Sequence, residues 1–197
     1  MNSRSMILEA VGRNQPSATA LPDVPLFDRD LPSAWPQFRK SLERMGGKLL
    51  EPAPNGDLAT LVKDLHPDAR VVCSATPEVR GNRALSDVRE ARELSDVDVG
   101  VVRAAFGVAE TGSVFLSEAD LGINALGYLS QHLVVLLDPA DVVGNLHHAY
   151  RRPEFEQAHY AVLMTGPSAT ADIEGVLIHG AQGVRTLTVV AERKAGD

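Results

Sequence analysis

The stretch HLVVLLDP, residues 132–139, is an unbroken apolar run that ends at an Asp-Pro pair. Such a run is typical of a strand buried on both faces, as in a parallel sheet covered by helices. Similar short runs occur in RVVCSA (70–75) and TLTVVAE (186–192), and they alternate with segments of helical periodicity. This alternation predicts an α/β architecture with a largely parallel sheet flanked by helices.

Helical periodicity is clearest in residues 34–45, where Trp35, Phe38, Leu42 and Met45 fall on one face before a Gly-Gly pair ends the helix. Residues 6–12 predict a short helix, and the proline-containing stretch that follows predicts an extended arm. We therefore divide the chain into an N-terminal helix and arm at residues 1–33, and a single α/β domain at residues 34–197.

The rest of the chain continues the same pattern with shorter elements. Helices are expected at residues 83–94 and 140–149, and residues 98–117 predict two strands joined around residues 110–112. YAVLMTG, residues 160–166, predicts another strand, and the segment after it is expected to begin as a helix.

Composition excludes several classes of function. The chain has 19 basic and 26 acidic residues, and its net charge of −7 disfavours nucleic acid as a partner. The one cysteine, Cys73, lies in an apolar run and cannot alone supply the thiolates of an ordinary iron–sulfur cluster. The six histidines lack the spacing of a metal site, so no metal is expected. No apolar window approaches the roughly 18 residues of a membrane span, which favours a cytoplasmic protein without membrane insertion.

The first of two polar turns is AETGS, residues 109–113, which follows an apolar run. Ligands of open α/β sheets bind beyond the carboxyl ends of strands, so this turn is a candidate site. Glu110 is the candidate general base or nucleophile, and Thr111 and Gly112 are candidate ligand-binding residues. In the alternative interpretation, Glu110 pairs with Arg103 or with a backbone donor and has a structural role.

The second turn is TGPSATADIEG, residues 165–175, where a Gly-Pro pair ends a strand. The hydroxyl of Ser168 or Thr170 could cap a following helix. The carboxylates of Asp172 and Glu174 would then complement the positive end of the helix dipole. Alternatively, backbone N–H groups at the helix start bind an anion such as a carboxylate or phosphate. The candidate ligand-binding residues of this turn are Gly166, Ser168, Thr170, Asp172 and Glu174.

These turns, taken with the strands around them, resemble the LUD (lactate utilization) domain family, in particular its short members with a single domain. The resemblance lies in GVAETGSVFL (107–116), HLVVLLDPADVV (132–143) and LMTGPSATADIEGVLIHGAQGVRTLTVV (163–190). The chain departs from the family's usual pattern at residues 102–105 and 121–131 and in the glycine-rich loop at 180–184.

The resemblance implies a NagB/RpiA/CoA-transferase-like three-layer fold. It also implies an accessory, non-redox role in a system that oxidises L-lactate to pyruvate, with the iron–sulfur clusters held in partner subunits. This chain would then carry no cofactor and would bind iron–sulfur proteins, together with a small carboxylate or phosphate ligand at the two turns. The arm at residues 15–33 is a candidate docking element for such a partner.

Two other hypotheses remain open. The chain could be a stand-alone isomerase or CoA-transferase-like enzyme in which Glu110 reacts and the backbone around residues 166–170 binds the anionic part of the substrate. It could also be a non-catalytic interaction or regulatory module.

Overall fold

Helices and strands alternate along the computed structural model, which describes residues 2–17, 19–20, 22–52, 56–172, 175–180 and 182–194. The helices of this part of the chain are α1 (Ser3–Arg13), α2 (Ala34–Arg44), α3 (Leu58–Leu65), α4 (Glu118–Leu121), α5 (Leu126–Leu129), α6 (Leu146–Ala149) and α7 (Pro153–Gln157). The strands are β1 (Lys48–Leu50), β2 (Val72–Ser74), β3 (Val99–Arg103), β4 (Phe106–Val108), β5 (Ser113–Ser117), β6 (His132–Leu137), β7 (Val142–Val143), β8 (Ala161–Met164), β9 (Ala169–Thr170), β10 (Ile178–His179) and β11 (Thr186–Ala191).

A five-stranded sheet in the order β1-β11-β6-β3-β2 forms the centre of the molecule, and all its strand pairs are parallel. The apolar run HLVVLLDP supplies the middle strand, β6, in which residues 133–137 are fully buried. The predicted α/β architecture with a largely parallel sheet flanked by helices is confirmed.

The two faces of this sheet are covered by different helices, because successive side chains of a strand point to opposite faces. On one face, Val134 of β6 belongs to a buried cluster with Val62 of α3. On the other face, Val135 belongs to a larger cluster with Phe38 and Leu42 of α2. The central sheet is therefore the middle layer between α3 and α2.

A second sheet, in the order β7-β4-β5-β8, lies against the α2 side of the core. Its β4–β5 and β5–β8 pairs are antiparallel. Its outer face carries Phe106 and Phe115, stacked at 4.6 Å between ring centroids, with Phe155 of α7 packed on Phe115. Residues 98–117 thus form three strands and not the predicted two, because the chain leaves the parallel sheet between β3 and β4.

Two predicted helices are wrong. Residues 83–94 form two separate 3-10 turns, Leu85–Asp87 and Ala91–Leu94, because this charged segment buries only Leu94 and lacks the apolar stripe that holds a longer helix on a core. In residues 140–149, a 3-10 turn and the short strand β7 precede the single-turn helix α6. Both residues of β7 are β-branched and pair with β4, which favours the extended conformation.

The N-terminal region has an exposed helix and an arm that contacts the domain. Helix α1 has no buried residue. The arm is held at Val24, whose carbonyl accepts a 2.9 Å hydrogen bond from Arg151, and at Leu26, whose carbonyl accepts one of 2.7 Å from Asn145. The Phe27 ring lies 4.8 Å from the ring of His147. The later half of the arm therefore packs on its own domain.

Candidate functional site

A chain of three hydroxyl groups joins the two polar turns. The Thr111 Oγ1 lies 2.7 Å from the Ser113 Oγ, which lies 2.5 Å from the Thr165 Oγ1. The contact arises because β5 and β8 are paired, with Val114 opposite Met164. Ser113 and Thr165 lie within the two turns but were not predicted as site residues, since only the strand pairing brings them together.

A cavity of about 240 Å³, which we call the TGPS cavity, lies at residues 165–168 after β8. Its other lining residues come from α5, from the end of β8 and from residues 182–184. Of the predicted site residues, Gly166 and Ser168 line it, whereas the AETGS turn reaches it only through the hydroxyl chain. The volume is below the range typical of small-molecule sites, which begins at roughly 300 Å³, so only a small ligand would fit.

The TGPS cavity is lined by uncharged side chains. The Ser168 hydroxyl donates to the carbonyl of Gln182, and the Ser168 N–H donates to the carbonyl of Val184 at 2.9 Å. The Tyr128 hydroxyl is paired with that of Tyr160, and burial together with this hydrogen bond raises the pKa of Tyr128 to about 12. Tyr128 is therefore a neutral phenol at physiological pH, and the cavity presents hydroxyl groups and no full charge.

The helix expected after the Gly-Pro pair is not formed by the described residues of this segment. Instead, β9 pairs with β10 as a short antiparallel ladder, so Ser168 and Thr170 do not cap a helix. The Thr170 Oγ1 accepts a 3.3 Å hydrogen bond from the N–H of Asp172, whose side chain is exposed. Hydroxyl residues favour turns as well as caps, which explains the wrong prediction. Glu174 lies outside the described residues.

Of the two partners in the alternative interpretation, a backbone donor and Arg103, the Glu110 carboxylate has the backbone donor. Its Oε2 accepts a 3.1 Å hydrogen bond from the N–H of Leu146, at the start of α6, and its carbonyl accepts one of 3.1 Å from the Ser41 hydroxyl. The side chain is otherwise exposed. Pairing with Arg103 was wrong, because the guanidinium group binds Glu78.

Replacing Glu110 with alanine is expected to lower the free energy of unfolding by about 0.5 kcal/mol, because one exposed hydrogen bond to α6 is lost. Glutamine retains an acceptor oxygen, so Glu110→Gln should change stability less than Glu110→Ala. Urea unfolding followed by circular dichroism measures both. Equal losses in the two variants would contradict a role for the carboxylate oxygen as an acceptor.

The predicted site glycines Gly112 and Gly166 both lie against the C-terminal end of α2. A Cβ atom on Gly112 would lie 2.2 Å from the N atom of Leu42, and one on Gly166 would lie 2.2 Å from the carbonyl oxygen of Met45. Both have positive φ angles, +72° and +67°. Close packing on α2 thus explains both glycines and fixes the two turns relative to each other.

An ion pair at the carboxyl end of β3, between Arg103 and Glu78, was not predicted from the sequence. The Arg103 Nε donates to the Glu78 Oε1 at 2.5 Å, and its Nη1 donates to the carbonyl of Glu192 at 3.0 Å. The Arg103 Nη2 is buried and has no hydrogen-bond partner in the described part of the chain. Burial opposes ionisation of Glu78, but hydrogen bonds from Thr76 and the backbone, with the charge of Arg103, outweigh it and lower the pKa of Glu78.

Cys73 is the one thiol of the chain that could bind a cofactor. Cys73 is fully buried, and burial raises the pKa of its thiol. Within the ranges that the structure describes, no group of three or more His, Cys, Asp or Glu side chains is arranged to hold a metal ion. None of the helices in those ranges is long and apolar enough to cross a membrane.

Comparisons with known proteins agree with the resemblance found in the sequence. A family model described as the LUD domain matches residues 80–191, more than half of the chain. A protein of Neisseria meningitidis serogroup B, described as uncharacterized, is 28% identical over 101 residues, which are 50% of this chain and 43% of that protein. The match thus spans less than half the length of that relative.

A solved structure shows the same fold. The crystal structure of a DUF162 family protein from Deinococcus radiodurans is similar with a TM-score of 0.58 and 17% identity, covering 79% of this chain and 93% of that one. The family-model match, supported by this shared fold, shows that the chain belongs to the LUD-domain family.

Proposed function

We propose that this chain is an accessory, non-redox subunit of a cytoplasmic system that oxidises L-lactate to pyruvate, of the lactate utilization protein C type. Membership of the LUD-domain family is consistent with a role associated with lactate utilization. The sequence has a single cysteine, which is buried in β2, so the iron–sulfur clusters would belong to partner proteins.

The exposed apolar surface of α1 is the observation that carries this proposal. Four large side chains of α1 are 54–62% exposed: Met6, Ile7, Leu8 and Val11. Isolated helices shorter than about 12 residues are marginal in water, and α1 has 11 residues with none buried. A partner that covers these side chains would stabilise the helix. We therefore place the docking element in α1, since the later half of the arm contacts its own domain.

Replacing Ile7 with aspartate is expected to weaken partner binding at least tenfold, because a charge would enter an apolar contact. The matched control is Ser5→Asp, which adds the same charge to an exposed polar position of α1. Co-purification from the native organism, followed by iron analysis of the captured proteins, measures the effect. Docking through α1 would be refuted if both variants captured equal amounts of iron–sulfur proteins, or if the unmodified chain captured none.

The TGPS cavity is the proposed site for a small carboxylate ligand. Hydroxyl groups of Thr165 and Tyr128 can donate hydrogen bonds to a carboxylate. The hydroxyl chain would couple that ligand to Thr111 in the neighbouring turn. A thermal-shift screen against L-lactate, pyruvate, sugar phosphates, acyl-CoA esters and folates tests this part. Ligand at one hundred times its dissociation constant stabilises by about 2.7 kcal/mol.

Catalysis by Glu110, as in an isomerase or CoA-transferase, is the second candidate function. The exposure of its carboxylate at the tip of the β4–β5 turn favours it. Glu110→Gln preserves the size of the side chain and removes its basicity, so an enzyme of this kind would lose turnover while ligand affinity remains. Unchanged turnover in the variant would remove this candidate, and the absence of any ligand or activity would favour a pure interaction module.

A further inference from the structure

A second cavity, of about 310 Å³, lies at the edge of the central sheet where the parallel strands begin. His132 is the first residue of β6, Asp98 immediately precedes β3, and Arg185 immediately precedes β11. His66, just after α3, closes the cavity from the side. We call this the amino-edge cavity; its volume falls within the range typical of small-molecule sites, roughly 300–1,000 Å³.

Two histidine side chains form one wall of the amino-edge cavity. The rings of His66 and His132 are stacked with their centroids 4.2 Å apart and an interplanar angle of 23°. The His132 Nδ1 lies 2.8 Å from the Thr186 Oγ1, which fixes the ring. The His66 Nε2 is buried and has no hydrogen-bond partner in the described part of the chain. A buried ring nitrogen without a hydrogen-bond partner raises the free energy of the folded chain. A ligand that hydrogen-bonds to this nitrogen would remove that cost and bind more tightly.

Among the residues that line the cavity, Arg185 has the one permanently cationic side chain. The Asp98 Oδ2 accepts hydrogen bonds of 2.7 and 2.9 Å from the N–H groups of Arg70 and Val71, which holds this carboxylate on the backbone. The guanidinium group of Arg185 makes no hydrogen bond or ion pair within the described residues. The backbone N–H of Arg185 donates a 2.7 Å hydrogen bond to the carbonyl oxygen of Gln131. The only other acidic side chain in the lining is that of Asp68.

The surroundings of the two histidine rings lower the pKa of both. Burial, followed by the nearby charges of His132 and Lys48, lowers the pKa of His66. Burial and Arg185 likewise lower the pKa of His132, against a smaller opposing effect of Asp98. Both rings are therefore neutral near pH 7. Nearby positive charges disfavour protonation of either ring, and a bound anion would offset that effect.

We propose that the amino-edge cavity binds the oxyanion group of a small metabolite, a phosphate or a carboxylate, with Arg185 as its charge partner and the imidazoles of His66 and His132 as hydrogen-bond donors. This site is separate from the TGPS cavity and does not depend on the function proposed above. Anion binding favours protonation of the rings, so affinity rises as the pH falls below neutral.

Isothermal titration with sulfate and with acetate tests this proposal on the full chain. Both probes keep a constant charge between about pH 6 and about pH 8, so a pH dependence of affinity reports protonation of the protein. We expect one of the two to bind, several-fold more tightly at the lower pH. Sulfate as the preferred probe would identify a phosphate-like ligand, and acetate a carboxylate.

Arg185→Gln should reduce the affinity about tenfold or more, because it removes a charge-assisted hydrogen bond. Arg89→Gln, at an exposed position outside the cavity lining, is the matched control and should bind as the unmodified chain does. His66→Gln should reduce the pH dependence, because it removes one of the two rings that take up a proton. Failure of both probes to bind, or equal binding by the Arg185 and Arg89 variants, would overturn the proposal.

Discussion

Replacing Gly112 with alanine is expected to lower the free energy of unfolding by about 3 kcal/mol. A Cβ atom at this position would lie 2.2 Å from the N atom and 2.6 Å from the Cα atom of Leu42. These are backbone atoms of α2, so relief requires the helix or the β4–β5 turn to move, and overpacking of this kind typically costs 1–3 kcal/mol. The φ angle of +72° adds about 1 kcal/mol for a residue with a side chain.

Gly175→Ala is the matched control for this experiment. Gly175 has a φ angle of +70°, but a Cβ atom there would meet nothing within 4 Å. The control therefore carries the conformational cost without the contact with α2, and should lose about 1 kcal/mol. Urea unfolding curves of the two variants measure the difference. Equal losses would show that α2 and the AETGS turn are not in the close contact described.

The elements predicted correctly are those whose burial leaves a local pattern. β6 is covered on both faces and therefore reads as an unbroken apolar run. Helix α2 buries one stripe, through Phe38 and Leu42, which recur at helical spacing. Both signals are contained within about a dozen residues, so the central sheet and the helix that covers it could be predicted from the sequence.

Features made by residues distant in sequence left no such pattern. The hydroxyl chain depends on the pairing of Ser113 with Thr165, 52 positions away, and was only partly anticipated by placing both in candidate turns. The amino-edge cavity was missed because His66 and His132 belong to different elements, and His132 was considered only as the first residue of an apolar strand. Local composition cannot show which strands are neighbours in the sheet, and therefore which residues at the strand ends come together.

The incorrect assignment of a helix after the Gly-Pro pair has a simple physical origin. Ser, Thr and Asp stabilise helix starts and tight turns by the same side-chain hydrogen bonds to backbone N–H groups. The turn at Thr170 and Asp172 uses that bond within a β-hairpin segment and not at a helix start. The strand pairing of β9 with β10 decides between the two outcomes, and that pairing is not visible in residues 165–175 alone.

Replacing Arg103 with methionine is expected to lower the free energy of unfolding by about 2 kcal/mol near neutral pH. Arg103 and Glu78 have side chains only 15% and 25% exposed, so the variant leaves a mostly buried carboxylate without its cation. Breaking a fully buried pair costs about 3–5 kcal/mol, and the smaller figure allows for partial screening by water. Urea unfolding at several pH values measures the loss.

The pH dependence separates the ion pair from simple packing. The pKa of Glu78 is lowered in the folded chain, so its ionised form contributes stability above its unfolded pKa, and this contribution disappears as the pH falls through the folded value. The destabilisation by Arg103→Met should therefore shrink between about pH 7 and about pH 3. In the double variant with Glu78→Gln, the loss relative to Glu78→Gln alone should be smaller and independent of pH. A loss from Arg103→Met that is the same at both pH values would show that the methylene groups of Arg103, and not its charge, stabilise this end of β3.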